Sequence, residues 1–198
     1  MKTSNSSDEL ATWLSRPLCR QYVVVVPRTV HLSVQYAAGV RLRSVYWLFG
    51  RLSDAESEPL GAWLRADSSG LQPKLHGELK ARGLERIRYL FVGDSGEDSS
   101  GLLSGYPGAR LLGMNWQVAE GDEAQVPAVH GAARAAYDIH AALARSIRRH
   151  GSFANPSAAL DFVAATLQRA ERRMDRERAI AKVRPRLDSG AQTAASDA

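Results

Sequence analysis

The hydrophobic pattern divides the chain into a strand-rich first half and a helical last third. Between Asp8 and Leu18, the apolar residues Leu10, Trp13 and Leu14 share one helical face, and Arg16-Pro17 ends the run because proline cannot continue a helix. Tyr22 to Val26 is a continuous apolar run, as expected of a strand buried on both faces, and Val30, Leu32 and Val34 then alternate with polar neighbours. Pro27 lies between them. It lacks a ladder donor, so it predicts an edge, a bulge or a strand end. Val40 to Gly50 alternates and then turns apolar, Ser53 to Glu58 reads as a turn, and Leu60 to Leu64 reads as a third strand. Strands so closely spaced predict an antiparallel meander.

Further along, Leu71, Leu75 and Leu79 carry helical spacing through Arg82, and Gly83 is placed as the stop. Ile87 to Val92 follows as a strand, and the intervening helix predicts that it returns parallel to the sheet. Gly93 to Gly105 reads as a Gly/Ser/Asp loop, Ala109 to Leu112 as a short strand, and Gln117 to Gln125 as an acidic loop. Ala128 to His150 and Pro156 to Arg184 predict two helices joined through Gly151 to Pro156, and the Ser/Ala-rich end predicts a disordered tail. The fold class is therefore α/β: three antiparallel strands, a helix and parallel strands, the layout of a ribonuclease H-like mixed sheet, followed by C-terminal helices. This divides the chain into a core over 1–126, a helical extension over 127–187 and a tail over 188–198.

Charge changes this picture only near the end. The formal net charge is +5, and between Arg134 and Arg186 there are 12 Lys/Arg against 5 Asp/Glu, so the basic character belongs to the helical third. A single cysteine, Cys19, excludes an intramolecular disulfide and a cysteine-cluster metal site, and a reducing, cytoplasmic setting is expected. Cys19 itself reads as a small apolar filler. The polar start, Met1 to Glu9, has no apolar stretch of the signal-peptide kind, and no run reaches membrane-spanning length, so no membrane partner is expected.

Several short pieces stand in a telling order: Trp13, Arg16-Pro17-Leu18, Tyr22 with the strand Val23 to Val26, Leu60-Gly61, Leu79-Lys80-Ala81-Arg82-Gly83-Leu84, Asp94, Gly101-Leu102 and Pro107-Gly108-Ala109. Together they resemble the catalytic region of the Mutator-type transposases of bacterial insertion sequences. No single piece is specific; the order and spacing over about half the chain carry the resemblance. It implies a DNA transposase that acts by metal-dependent phosphodiester transfer, with Mg²⁺ as cofactor and Asp94 as the second catalytic acid. Counted back from Leu60-Gly61, the position of the first catalytic Asp falls on Pro27, and no carboxylate lies between Ser15 and Leu52. The family's Gln-x-Cys-x-x-His segment is also missing, with Met114-Asn115-Trp116 and the acidic loop in its place. Its third acid and its N-terminal DNA-binding portion are not found within 1–198.

Two-metal catalysis needs clustered carboxylates to hold two Mg²⁺ ions about 4 Å apart. A proline side chain offers no oxygen, so neither strand cleavage nor a working Mg²⁺ site is expected. Asp94 reads either as a vestigial acid at a strand end or as part of an ordinary Gly93-Asp94-Ser95-Gly96 turn. Glu97 and Asp98 are weak metal candidates that also read as solvated loop charges. His130, His140 and His150 recur every ten residues, a spacing that does not stack them into one ligand face of a helix.

For DNA contact the candidates are Arg145, Arg148 and Arg149, and Arg169, Arg172, Arg173 and Arg176, the last four sharing a helical face. Interleaved Glu171, Asp175 and Glu177 also allow a solvated, self-compensated face, and no aromatic residue is present there to stack a base. The expectation is a truncated, degenerate Mutator-family transposase without strand-cleavage activity, with DNA or an intact transposase as partner. A recruited DNA-binding or regulatory protein using the basic helices is the alternative. A phosphohydrolase is a weaker one: Phe91 to Glu97 resembles a late acidic loop of haloacid-dehalogenase-like phosphatases, but the earlier Asp-x-Asp strand that fold requires is missing.

Overall fold

The computed structural model describes residues 4–52, 56–65, 71–92, 100–113, 117 and 120–193. Its elements are α1 (Ser4–Ser15), β1 (Gln21–Tyr36), β2 (Gly39–Arg51), β3 (Ser57–Leu64), α2 (Leu71–Ala81), β4 (Arg86–Phe91), α3 (Ser100–Gly105), β5 (Arg110–Leu112), a 3₁₀ turn (Glu123–Gln125), α4 (Val126–His150), β6 (Ser152–Phe153) and α5 (Pro156–Thr193). The strands form one six-stranded mixed sheet in the order β3-β2-β1-β4-β5, with β6 paired to β1. β1, β2 and β3 are successively antiparallel, and β4 and β5 run parallel to β1.

Helices cover both faces of the sheet. On one face α4, α5 and α1 bury Val129, Ala136, Leu143, Val163, Leu167 and Trp13 against Val26, Val30, Trp47 and Phe49. On the other, α2 and α3 bury Leu75, Leu79 and Leu102 against Tyr22, Val25, Leu48, Leu60 and Leu90. Fully burying one such side chain contributes about 1.5–3 kcal/mol, so the two layers account for the stability of a sheet whose central strands read as continuous apolar runs. No helix among the described residues is long and apolar enough to cross a membrane.

Pro27 marks no strand end. β1 is a single strand of 16 residues, and its ladder with β2 passes through Pro27↔Leu48 without a shift of register. On the opposite edge of β1, pairing with β4 ends at Val25 and pairing with β6 begins at Ser33, so the proline falls where that edge has no strand partner. A missing donor costs least there. The loop expected over 93–105 contains α3, and the helix-to-helix connection contains the short strand β6. β3 begins at Ser57, inside the expected turn. Cys19, read as an apolar filler, is exposed.

Two glycines are required by the backbone. Gly83 ends α2 at φ 101°, its N–H donating to the Lys80 carbonyl at 2.9 Å, as a left-handed helix stop does. Gly61 has φ 150° beside an irregularity in the β2–β3 ladder, where Leu48 pairs with Gly61 and Phe49 with Pro59, leaving Leu60 as the extra residue. A Cβ at Gly61 would lie 2.8 Å from the Trp63 ring. Gly61→Ala is therefore expected to destabilise the fold by roughly 1–3 kcal/mol, read as a lower Tm and denaturant midpoint. Gly77→Ala, in α2 with open space around it, is expected to raise stability by about 0.5–1 kcal/mol.

Candidate functional site

The parallel pairing of β1 and β4 sets the place where the two transposase-like acid positions would meet. Val24 pairs with Tyr89 and Val25 with Leu90, and there the ladder ends, two residues before Pro27 on β1 and one before the end of β4 at Phe91. Asp94, Glu97 and Asp98 fall in 93–99, outside the described residues. Pro27 itself lies in the interior of β1, just past the last residue of that strand paired with β4. Pro27 is buried on the α2 face beside Leu48, and Arg28 and Thr29 follow it; none of the three carries a carboxylate. From Gln21 to Tyr36, β1 supplies no acidic oxygen to a metal ion.

Three half-buried carboxylates, Asp122, Glu58 and Glu171, stand elsewhere and are paired with cations. Asp122, just ahead of the 3₁₀ turn, accepts from Arg88 and from the Tyr89 hydroxyl, and Arg110 lies 3.7 Å away. The Tyr89 and Arg88 hydrogen bonds hold its pKa below the usual value despite the opposing effect of burial. This residue, read only as part of an acidic loop, ties the entry to α4 to β4 and β5.

A second polar junction lies at the opposite end of the sheet, where β1 and β3 begin. Arg16 Nη2 donates to Glu58 at 2.9 Å and to Glu171 at 2.8 Å, while the Tyr22 hydroxyl donates to Glu58 and the Trp13 indole N–H to Glu171. Burial raises the Glu171 pKa, opposed by the Trp13 hydrogen bond and the Arg16 charge. Arg82 adds Nε to the Arg16 carbonyl at 2.8 Å and Nη1 to the Leu60 carbonyl at 2.6 Å, and its own carbonyl accepts from Leu18 N–H at 2.7 Å. Burial, then the neighbouring charge of Arg16, lowers the Arg82 pKa to about 10. Trp13, Arg16, Leu18, Tyr22, Leu60-Gly61 and Arg82-Gly83 are thus one structural knot, although in sequence they are scattered pieces of the transposase-like pattern.

The candidate DNA-binding arginines separate into two groups. On α5, Arg172 pairs with Glu9, Arg173 lies 3.7 Å from Glu177, Arg169 bonds Thr166, and Arg176 donates to the Arg172 carbonyl. Arg178, on the same helix, pairs with Asp175 and donates to the Ser57 carbonyl. On α4, Arg145, Arg148 and Arg149 line a surface concavity of about 370 Å³ and make no ion pair among the described residues. Two of these close the last turn of α4, where cations also complement the helix dipole. The three histidines do not converge: His130 is exposed, His150 stacks on Phe153 and His140 lies against Trp47. Among the described residues no group of three or more His, Cys, Asp and Glu is placed to hold a metal ion.

No protein-family model matches the chain, and no curated protein matches it.

Asp122 offers a pH test. Its carboxyl titrates below the ordinary 3.8, so the stability it contributes is present above that pH and is lost as pH falls through the lower folded-state value. Asp122→Asn is expected to lower the denaturant midpoint at neutral pH, with the gap to the parent protein closing only below pH 3.8.

Proposed function

We propose that this protein is a degenerate Mutator-type transposase domain with a ribonuclease H-like core that has lost strand cleavage. The observation that carries this reading is the position of Pro27. The strand arrangement, three antiparallel strands, a helix, then strands parallel to β1, is the one expected of such a core. The resemblance puts one required acid at Pro27, on the strand that pairs with β4, and the other at Asp94, three residues after the end of β4 in sequence. With a pyrrolidine ring at one of them, a lone Asp94 cannot hold the pair of metal ions that in-line phosphodiester transfer needs. Eight of the residues carrying the resemblance, Trp13, Arg16, Leu18, Tyr22, Leu60, Gly61, Arg82 and Gly83, meet at the base of the sheet.

A second reading, DNA contact without cleavage, is favoured by one observation. Arg145, Arg148 and Arg149 gather around one concavity without a carboxylate partner, whereas the α5 arginines Arg172, Arg173 and Arg178 are largely compensated. A surface of this kind tracks phosphates by charge and carries no sequence information.

One experiment addresses both. The protein is incubated with supercoiled DNA and Mg²⁺ or Mn²⁺, and its binding to duplex DNA is followed as salt rises. No metal-dependent nicking is expected, and metal-dependent nicking that disappears in Asp94→Ala would overturn the loss of cleavage. If the α4 cluster binds DNA, affinity falls as salt rises, and replacing each of its arginines by glutamine lowers the salt slope by about one. An unchanged slope in the triple variant removes the second reading.

A further inference from the structure

Between the β1–β2 ladder and α4, three buried nitrogen atoms have no hydrogen-bond partner among the described residues: Arg28 Nε, Trp47 Nε1 and His140 Nδ1. One buried polar atom left alone costs about 1–3 kcal/mol, so three in one neighbourhood call for a ligand. The register and packing put them there together. Arg28 and Trp47 are direct cross-strand partners, which sets their side chains on one face with Cβ atoms about 5 Å apart. The His140 ring stacks on Trp47, with centroids 6.4 Å apart and planes 15° from parallel. Burial, followed by the charges of Arg28 and His31, lowers the His140 pKa, so the guanidinium acts on the imidazole at close range.

The chemistry of these atoms selects the ligand. An indole N–H and a guanidinium Nε–H can only donate, and an imidazole can donate as well. No carboxylate forms an ion pair with Arg28, His31 or His140 among the described residues. His31 is exposed, 3.0 Å from the Ser44 hydroxyl, and stands outside the cluster. What is needed is therefore an acceptor carrying negative charge. Trp47 is fully buried while Arg28 and His140 are half-buried, so an anion reaching the indole must leave bulk water, which a bulky phosphodiester backbone does not do.

We propose that Arg28, Trp47 and His140 form a binding site for one small monovalent anion of the size of chloride, held between β1, β2 and α4. The site lies on the α4 face of β1, opposite the face on which Pro27 is buried, and so does not depend on the transposase reading.

The test follows the indole N–H resonances of the folded protein by NMR while chloride replaces methanesulfonate at constant ionic strength, just below neutral pH. The Trp47 signal is expected to shift and saturate. Those of Trp13 and Trp63, whose N–H groups already donate to Glu171 and Glu78, stay in place and report that the fold is intact. Arg28→Met and His140→Phe are expected to weaken chloride binding by roughly tenfold or more. Inorganic phosphate and a short DNA duplex are expected to leave Trp47 unmoved. A Trp47 shift that stays linear in chloride overturns the site, as does equal saturation in both variants. Contact of Trp47 with water alone, without a chloride response, also overturns it, because water then satisfies the three nitrogens. A shift produced equally by phosphate or duplex overturns the assignment to a small anion. The wild-type titration decides between these outcomes even if a variant fails to fold.

Discussion

Strand β1 is shared among three partners, and that sharing constrains everything around it. Its ladder with β2 runs from Val24 to Tyr36, while its other edge is divided between β4, up to Val25, and β6, from Ser33. The gap between them is where a proline, which has no ladder donor, is tolerated at least cost.

The base of the sheet is held by a small network of arginine hydrogen bonds. Arg16 bridges Glu58 on β3 and Glu171 on α5, and Arg82 bonds the carbonyls of Arg16 and Leu60. Charge-assisted bonds of this kind are worth about 1.5–3 kcal/mol each when largely removed from water, and a guanidinium deprived of its partners there costs several times more than an exposed one. Selection for folding alone would preserve these residues. A recognisable pattern in this sequence is thus a record of architecture before it is a record of activity.

Much of the fold was legible because the local period matched the final environment. The apolar runs at Tyr22 to Val26 and Val45 to Phe49 lie buried in central strands, whereas Val40 and Leu42 of the alternating stretch are exposed; Leu75 and Leu79 mark the buried side of α2, and Gly83 stops it. Of the three readings that Pro27 allowed, an edge, a bulge or a strand end, only a local edge holds, because a proline removes a donor on one side of a strand and sequence does not say which side has a partner. β6 is two residues long, below the reach of any periodicity. Asp122 was hidden because its partners, Arg88 and Tyr89, are more than thirty residues away. Glu171 gave a faint signal: no cation stands four residues after it, so its partner had to come from outside its own helix. The polar cluster of Arg28, Trp47 and His140 exists only once β1, β2 and α4 are assembled, and no spacing in the chain announces it.

The account turns on whether the β1–β4 end can hold divalent ions, and Mn²⁺ binding followed by water-proton relaxation measures that directly on the intact protein. The account predicts only weak association that does not saturate and does not change in Asp94→Ala. Saturable binding of two Mn²⁺ ions per chain, abolished by that substitution, would contradict it and show that another segment supplies the missing acid.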